Sequence, residues 1–241
     1  DRMLGEWVRA RLLAKPILPT PSSLPAPVEV GTVLYSSVSP ISGRPADRFL
    51  LEDQFLHKAV ILVLAVDSGS DGRVSACVLN RPTANVMRFN LKDDPRRRVA
   101  FTGSEQLESQ LWIHHRIELG GIALGSSGLY ALTTEEAVVV LRAEGAAPSD
   151  FVLINGVAQF TKPELAGMLA AGELRALATD APTSGLWPRV WSLMEDDGDV
   201  SDGTDVWWLA AQCGVEQRVA APKSDLADEA LDEWLKFFAR G

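Results

Sequence analysis

The polar turn Asn80–Thr83 holds the residue types in this sequence that are best suited to bind a ligand. It follows directly on the apolar run Val74–Leu79, so a carboxamide and a guanidinium are expected at the rim of a sheet. Pro82 fixes its own φ and favours an extended backbone at Arg81. Arg81 has two alternative roles: a bidentate contact to a phosphate or carboxylate, or a pair with an acid such as Glu105 that locks the turn. The structural role is favoured.

Histidine chemistry is limited because the sequence holds only three histidines. His57 stands just before an apolar run, where a histidine satisfied at the start of a strand is the favoured interpretation. His114 and His115 point to opposite faces if their segment is a strand, so they are poorly placed to bind one metal ion together. The sequence contains no HExxH, GxSxG, P-loop or GxGxxG motif. We therefore predict no enzymatic activity, no metal site and no cofactor.

Charge argues against nucleic acid as a partner. The formal net charge is −9, which repels a polyanion. The best basic patch is Arg96–Arg98 with Arg88 and Lys92, and we interpret it as a solvated loop. The acidic segment 195–205 lacks the spacing of a calcium loop. It is predicted to be solvated or to contact a basic partner.

Composition favours a folded chain with a substantial core, since 46% of the residues are hydrophobic. Cys77 lies in a strand pattern and is predicted to be a small core residue, while a disulfide with Cys213 stays an open alternative. No apolar run reaches the ~18 residues of a membrane span, so we predict no transmembrane segment of its own. The chain begins at Asp1 without Met, which is compatible with a processed precursor or a trimmed sequence, so we expect any targeting segment to be absent from it.

Residue patterns divide the chain into three parts: an N-terminal helix and proline-rich arm (1–30), an α+β domain (31–195), and an acidic loop with an amphipathic C-terminal extension (196–241). In the second part, Ala59–Val66 and Arg73–Leu79 predict a hairpin of buried strands. Capping-box patterns at Thr133 or Thr134 with Glu136, and at Thr161 with Glu164, predict two helices. The mixture of hairpins and helices indicates an α+β fold with a mixed sheet.

Several segments in matching order resemble the AlgH/YqgE family, including its plant and algal plastid members. They are Gly31–Leu34, Phe55–Val60, Val78–Pro82, Pro163–Leu165, Gly172–Leu174 and Leu186–Met194. The run Val-Leu-Asn-Arg-Pro is the most diagnostic of these. The resemblance implies a strongly bent, pseudo-barrel sheet flanked by helices and a shared groove, with the label of transcriptional regulator and no attached enzyme activity.

The sequence departs from the family pattern where the groove is expected. Gly103-Ser104-Glu105 stands where the family usually has Gly-Gly-Pro, and Gly156-Val-Ala-Gln-Phe160 stands where it usually has Gly-Tyr-Ala-Gly-Trp. The fold-defining positions are therefore better kept than the groove-defining ones. This puts in doubt any binding function that the groove has in relatives.

Two functions are compatible with these patterns. The first is a non-catalytic structural or assembly subunit that docks on a larger protein complex, including a membrane-associated one such as a plastid photosystem-type complex at the stromal or thylakoid surface. The location follows from the resemblance alone. Partner contacts would then use aromatic residues outside the hairpin core, with packing on their own domain as the alternative: Trp7, Trp207, Trp208, Trp234, Phe237 and Phe238. The second function is a regulator that binds a small ligand or nucleotide through Asn80, Arg81, Gly103 and Gly156.

Overall fold

A computed structural model describes residues 28–36, 54–70, 72–89, 95–103, 105–143, 145–177, 185–196, 203–213 and 225–239. Residues 1–27, with the predicted N-terminal helix and most of the proline-rich arm, lie outside these ranges. The side chain of Phe238 also lies outside the description. The predicted boundaries of the three parts stay predictions.

The described residues form ten strands and five α-helices. The strands are β1 (Val33–Ser36), β2 (Val60–Val66), β3 (Arg73–Val78), β4 (Pro82–Arg88), β5 (Arg96–Ala100), β6 (Glu105–His114), β7 (Ile122–Ala123), β8 (Tyr130–Thr133), β9 (Val152–Thr161) and β10 (Leu174–Ala176). The helices are α1 (Thr134–Arg142), α2 (Lys162–Ala170), α3 (Leu186–Ser192), α4 (Thr204–Cys213) and α5 (Asp225–Trp234), which continues as a π-helical turn at Leu235–Ala239.

Eight strands form one curled, half-barrel sheet in the order β10-β1-β2-β3-β9-β6-β8-β7, and β4 pairs with β5 beside it. The predicted α+β class and bent sheet are confirmed. The mixed pairing needs a correction, because all pairs of the described strands are antiparallel. Register shifts in the β2–β3 and β6–β9 pairs help the sheet to bend, since an extra residue locally increases twist.

The sheet is covered on both faces, as the apolar run of β2 predicts. Val60 and Leu62 belong to one buried cluster, which also contains residues of α3 and α4. Ile61 and Val63 belong to a second cluster, which contains residues of α2. Alternate side chains of a strand point to opposite faces, so one short strand connects two hydrophobic layers.

The β2–β3 hairpin and the starts of α1 and α2 agree with the predictions from the sequence. β2 and β3 pair from Ile61 with Val78 to Val66 with Val74. Thr133 with Glu136 and Thr161 with Glu164 form complete capping boxes at α1 and α2. Each box satisfies backbone N–H groups that a helix start would otherwise leave unpaired.

The interpretation of Arg96–Arg98 as a solvated loop is wrong, because these residues form β5. Arg97 is 2% exposed, and its Nη2 donates hydrogen bonds to the carbonyls of Phe151 and Trp191. Arg98 is also buried and pairs with Asp196 at 3.2 Å. A guanidinium enters a protein interior when oxygen acceptors replace its water, and such acceptors come here from segments far along the chain.

Two glycines allow β6 and β9 to approach at backbone contact. A Cβ atom on Gly103 would lie 2.0 Å from the carbonyl carbon of Val157, and one on Gly156 would lie 2.7 Å from the carbonyl oxygen of Gly103. Because backbone atoms cannot rotate away as a flexible side chain does, these contacts fix glycine at both positions.

The variant Gly103→Ala should lose about 3 kcal/mol of unfolding free energy, since a methyl group would push two paired segments apart. Gly167→Ala is the matched control, because Gly167 lies in α2 with open space around it. It should gain about 0.5–1 kcal/mol from helix propensity. Urea denaturation of both variants measures the difference, and equal stabilities would contradict the proposed backbone contact.

Candidate functional site

The carboxamide of Asn80 is fully buried and forms hydrogen bonds with two separate segments of the chain. Its Oδ1 accepts from the backbone N–H of Val60 at 2.8 Å. Its Nδ2 donates to the carbonyls of Lys58 and Gly203, each at 2.9 Å. The residue is 0% exposed. The amide therefore connects the start of β2 to the start of α4.

Arg81 is also 0% exposed and donates to main-chain carbonyls. Its Nη1 donates to the carbonyl of Asn80 at 2.9 Å, and its Nη2 donates to the carbonyl of His57. The backbone of Arg81 accepts from Phe101 at 2.8 Å. These contacts are internal to the fold and use carbonyl oxygens as acceptors. The predicted pair of Arg81 with an acid such as Glu105 stays a prediction.

Gly203 brings α4 directly against Asn80. Its φ is +70°, and a Cβ atom there would lie 2.0 Å from the carbonyl oxygen of Asn80. Four residues later, Trp207 donates from Nε1 to the carbonyl of Ser36 at 2.6 Å. The ammonium of Lys58 lies 5.7 Å from the ring centroid of Trp207, within cation–π range.

α5 reaches the same region through Asp228. Its Oδ1 lies 2.6 Å from Lys58 Nζ and 2.9 Å from His57 Nε2. At the end of the same helix, Trp234 packs edge-on against Phe101 with ring centroids 4.7 Å apart. We call the connected polar set the Asn80 junction, and its members are His57, Lys58, Asn80, Arg81, Gly203 and Asp228.

Burial sets the protonation of the junction. It lowers the pKa of His57 below the ordinary 6.5, and the neighbouring Asp228 only partly offsets this effect. Burial raises the pKa of Asp228, but hydrogen bonds from Lys58 and His57 outweigh it, so the net shift is downward. The arrangement at neutral pH is a neutral imidazole beside a carboxylate and an ammonium, which agrees with the prediction that His57 is satisfied at a strand start.

The predicted ligand contacts occupy interior positions. Asn80 and Arg81 belong to the Asn80 junction, while Gly103 and Gly156 meet at the β6–β9 backbone contact. Their role in ligand binding stays a prediction. The sequence did not single out Lys58, Gly203 or Asp228. Position 203 is 123 residues from Asn80, and no local pattern shows which distant carbonyl an amide will bind.

The predicted partner contacts fall into two groups. Trp207 is 2% exposed and Trp234 is half-buried, so both pack on the body in this structure. Trp208 is 41% exposed and Phe237 is 80% exposed. Trp7 and the side chain of Phe238 lie outside the described residues. The use of these side chains by a partner stays a prediction.

The remaining reactive side chains are dispersed. His114 is buried and His115 exposed, as their alternation predicts. Cys77 is a free, buried cysteine whose thiol pKa is raised to about 12 by burial. Across the described ranges, no group of three or more His, Cys, Asp or Glu side chains is placed to hold a metal ion. Within the same ranges, none of the helices has the length and apolar character to span a membrane.

Comparison with known proteins gives a match among solved structures and none among family models or curated proteins. A scan against protein-family models and a search of curated proteins found no match for this chain. A search of solved structures found the solution structure of the AlgH protein from Pseudomonas aeruginosa, with 14% sequence identity and a TM-score of 0.48. The match covers 83% of this chain and 96% of that one.

The protein that this search found bears the name AlgH. The membership of this chain in the AlgH/YqgE family stays a prediction from its sequence motifs. The plastid type of member is not tested by the match and stays a prediction.

Removal of the Asn80 carboxamide should destabilise the whole fold. Asn80→Ala leaves a buried N–H and two buried carbonyls without their partner, and we expect a loss of about 3 kcal/mol in unfolding free energy. Asn85→Ala is the matched control, because Asn85 is exposed on β4. It should change the unfolding free energy by no more than about 0.5 kcal/mol. Chemical denaturation measures both. An Asn80→Ala protein as stable as the control would show that the junction contributes little.

The lowered pKa of His57 predicts a pH dependence of stability. Below about pH 6.5 the unfolded chain binds a proton that the folded His57 resists, so stability falls as pH falls. Between about pH 7.5 and pH 5.5 we expect a loss of about 1 kcal/mol, to which the buried His114 adds in the same direction. Asp228 contributes only at lower pH, because its stabilisation is lost as pH falls through a depressed carboxyl pKa.

The variant His57→Gln keeps a donor for Asp228 and should show a smaller loss over this pH range. His115→Gln, at an exposed position, is the control and should show the loss of the unmodified chain. Denaturation curves at the two pH values give the comparison. The explanation fails if His57→Gln and the unmodified chain lose the same amount.

Proposed function

We propose that this chain is a non-catalytic subunit that docks on a larger protein assembly. The observation that carries the proposal is the contrast between its interior and its surface. Asn80 and Arg81, the polar residues predicted to contact a ligand, are 0% exposed and hydrogen-bonded within the chain. Trp208 and Phe237, on the C-terminal helices, expose aromatic surface instead.

The physical reasoning concerns what each set of residues offers to a binding partner. A ligand at Arg81 would have to replace the carbonyl acceptors of its Nη1 and Nη2 atoms, at the cost of a buried polar network. Exposed tryptophan and phenylalanine offer large apolar area with few rotatable bonds, which is the property of residues that contribute most to protein interfaces. The balance favours protein association over small-molecule binding.

The proposed location is the stromal or thylakoid surface of a plastid, with a photosystem-type complex as host. Support for the location comes only from the resemblance of the sequence motifs to plastid members of the AlgH/YqgE family. It is a separate part of the proposal, because docking on an assembly does not depend on the compartment.

Native gel electrophoresis followed by lysine cross-linking and mass spectrometry tests the docking role. We expect the chain to migrate with a large assembly and to give inter-protein cross-links at Lys236, which adjoins the exposed Phe237. Lys162, at the start of α2, is the internal comparison. A chain that migrates as a monomer and gives only internal cross-links would overturn the proposal. Strong thermal stabilisation by inorganic phosphate or a nucleotide, lost in Arg81→Met, would instead support a ligand-binding regulator.

A further inference from the structure

The ribbon formed by β4 and β5 is paired differently along its two edges. Beyond β5, Arg98 donates its backbone N–H to the carbonyl of Met194 at 2.8 Å, and Arg97 forms a β-bridge with Glu195. Among the described strands, β4 pairs with β5 alone. β4 is therefore the edge strand of this ribbon, and such an edge is a template for another extended chain.

The register of the ribbon shows which backbone groups β4 turns outward. Phe89 donates its N–H to the carbonyl of Pro95 at 3.1 Å, so these two residues form a hydrogen-bonded pair. Hydrogen-bonded and non-hydrogen-bonded pairs alternate along an antiparallel ladder. Val86 and Arg88 lie opposite Arg98 and Arg96 in the register, and they therefore point their N–H and C=O groups away from β5. An added strand would bind these groups.

Two arginines meet on the exposed face of the same ribbon. Arg88 lies directly opposite Arg96, and both are exposed. Because this pair is not hydrogen-bonded, it belongs to the closer kind, with Cα atoms about 4.5 Å apart. Like charges directly opposite each other destabilise a sheet. A carboxylate beside Arg88 would lie in the field of both guanidiniums and would relieve their repulsion.

The other face of the ribbon is anchored in the interior. Met87 packs against the buried cluster that contains Phe151, and Arg97 donates to the carbonyl of Phe151 at 3.1 Å. Met87 and Arg97 alternate with Arg88 and Arg96 along the two strands, so the last two point outward. The arginine pair is thus held in a defined position before any partner binds, which lowers the entropic cost of binding.

We propose that an acidic, extended segment of a partner protein adds to β4 as a further strand, with a carboxylate opposite Arg88. The inference rests on the proposed docking function and specifies the chemistry of the partner. The outward N–H and C=O groups of Val86 and Arg88 select a polypeptide backbone, and the arginine pair selects an acidic side chain. The π-helical turn that carries the exposed Phe237 also packs against β4, so this edge adjoins a residue already assigned to docking.

Other occupants match only part of this surface. A nucleic acid offers phosphates to the arginines but no N–H and C=O pattern for a strand edge, and the net charge of −9 repels a polyanion. A second copy presents the same arginines, so pairing of two β4 edges would bring like charges together. An acidic strand of another protein satisfies both the backbone groups and the charge.

Fluorescence anisotropy with the full chain tests the assignment. The probe is a fluorescein-labelled peptide of alternating glutamate and threonine, which places the acids on one face of a strand. One matched probe has lysine in place of glutamate, and the other keeps the glutamates but carries methyl groups on its backbone nitrogens. The first probe should bind at least about tenfold more tightly than either control, because one control removes the charge match and the other removes the strand pairing.

Variants locate the binding at β4. Arg88→Glu should weaken the glutamate peptide by about tenfold or more and should favour the lysine peptide instead. Val86→Pro should weaken the glutamate peptide several-fold, because it removes an outward N–H and leaves the β4–β5 hydrogen bonds in place. Arg142→Glu is the matched control at an exposed position of α1. It makes the same change in net charge and should alter the affinity by less than about twofold.

Several results would overturn the inference. Equal binding of the three peptides is one, and equal effects of Arg88→Glu and Arg142→Glu are another. Loss of affinity in Arg88→Glu with none in a folded Val86→Pro variant, checked by circular dichroism, would show a charge contact without an added strand. Tighter binding of an oligothymidylate probe would assign the arginines to nucleic acid. A dimer seen in sedimentation and lost in Arg88→Glu would assign the edge to a second copy.

Two further outcomes separate this inference from the docking function. A chain that migrates with its assembly equally well as Arg88→Glu and Val86→Pro variants keeps the proposed function and removes the β4 edge from it, which overturns the inference. A chain that binds the glutamate peptide through Arg88 but migrates as a monomer keeps the edge and removes the function.

Discussion

The burial of a carboxamide and a guanidinium at the end of one strand is the constraint on which the rest of this structure depends. A buried polar group without a partner costs about 1–3 kcal/mol, and more when it is charged. The amide of Asn80 and the Nη2 of Arg81 avoid that cost only if the backbone carbonyls of His57, Lys58 and Gly203 lie within reach. The fold must therefore bring the start of β2 and the start of α4 to the same point. Asp228 extends the requirement to α5, since its carboxylate compensates the positive charge of Lys58, whose side chain is largely removed from water.

This constraint changes how the motif is understood. An asparagine and an arginine before a proline have the donors and acceptors of an anion-binding turn, and the sequence alone allows both that use and a structural one. The structure directs these groups inward, to main-chain atoms of the same polypeptide. The exposed aromatic side chains of the described residues, Trp208 and Phe237, lie on the two C-terminal helices. The polar motif and the exposed aromatic residues thus have complementary roles, since the first holds in place the helices that carry the second.

Local patterns were sufficient for part of this structure. The β2–β3 hairpin and the capping boxes at Thr133 and Thr161 follow from alternation and from hydrogen bonds between residues three apart, so a short window of sequence contains all the information. The burial of Arg97 was not predictable in this way. Its charge and its neighbours in sequence favour a solvated loop, whereas its acceptors come from Phe151 and Trp191. The hydrogen bond from Asn80 to the carbonyl of Gly203 was not predictable for the same reason. Tertiary partners override local preference and leave no signal in the adjacent residues.

Contacts with residues that are distant in the sequence also hold the C-terminal surface rigid. α4 is held from inside by Gly203 against Asn80 and by the indole of Trp207 on the carbonyl of Ser36. Because these contacts fix both the axial position and the rotation of the helix, the outward side chain of Trp208 is presented in a defined direction before any partner arrives. A preorganised surface loses less conformational entropy on binding than a flexible arm does. The aromatic surface of α4 is thus better described as a face of the body than as an appendage, and the residues that determine its geometry are the ones most remote from solvent.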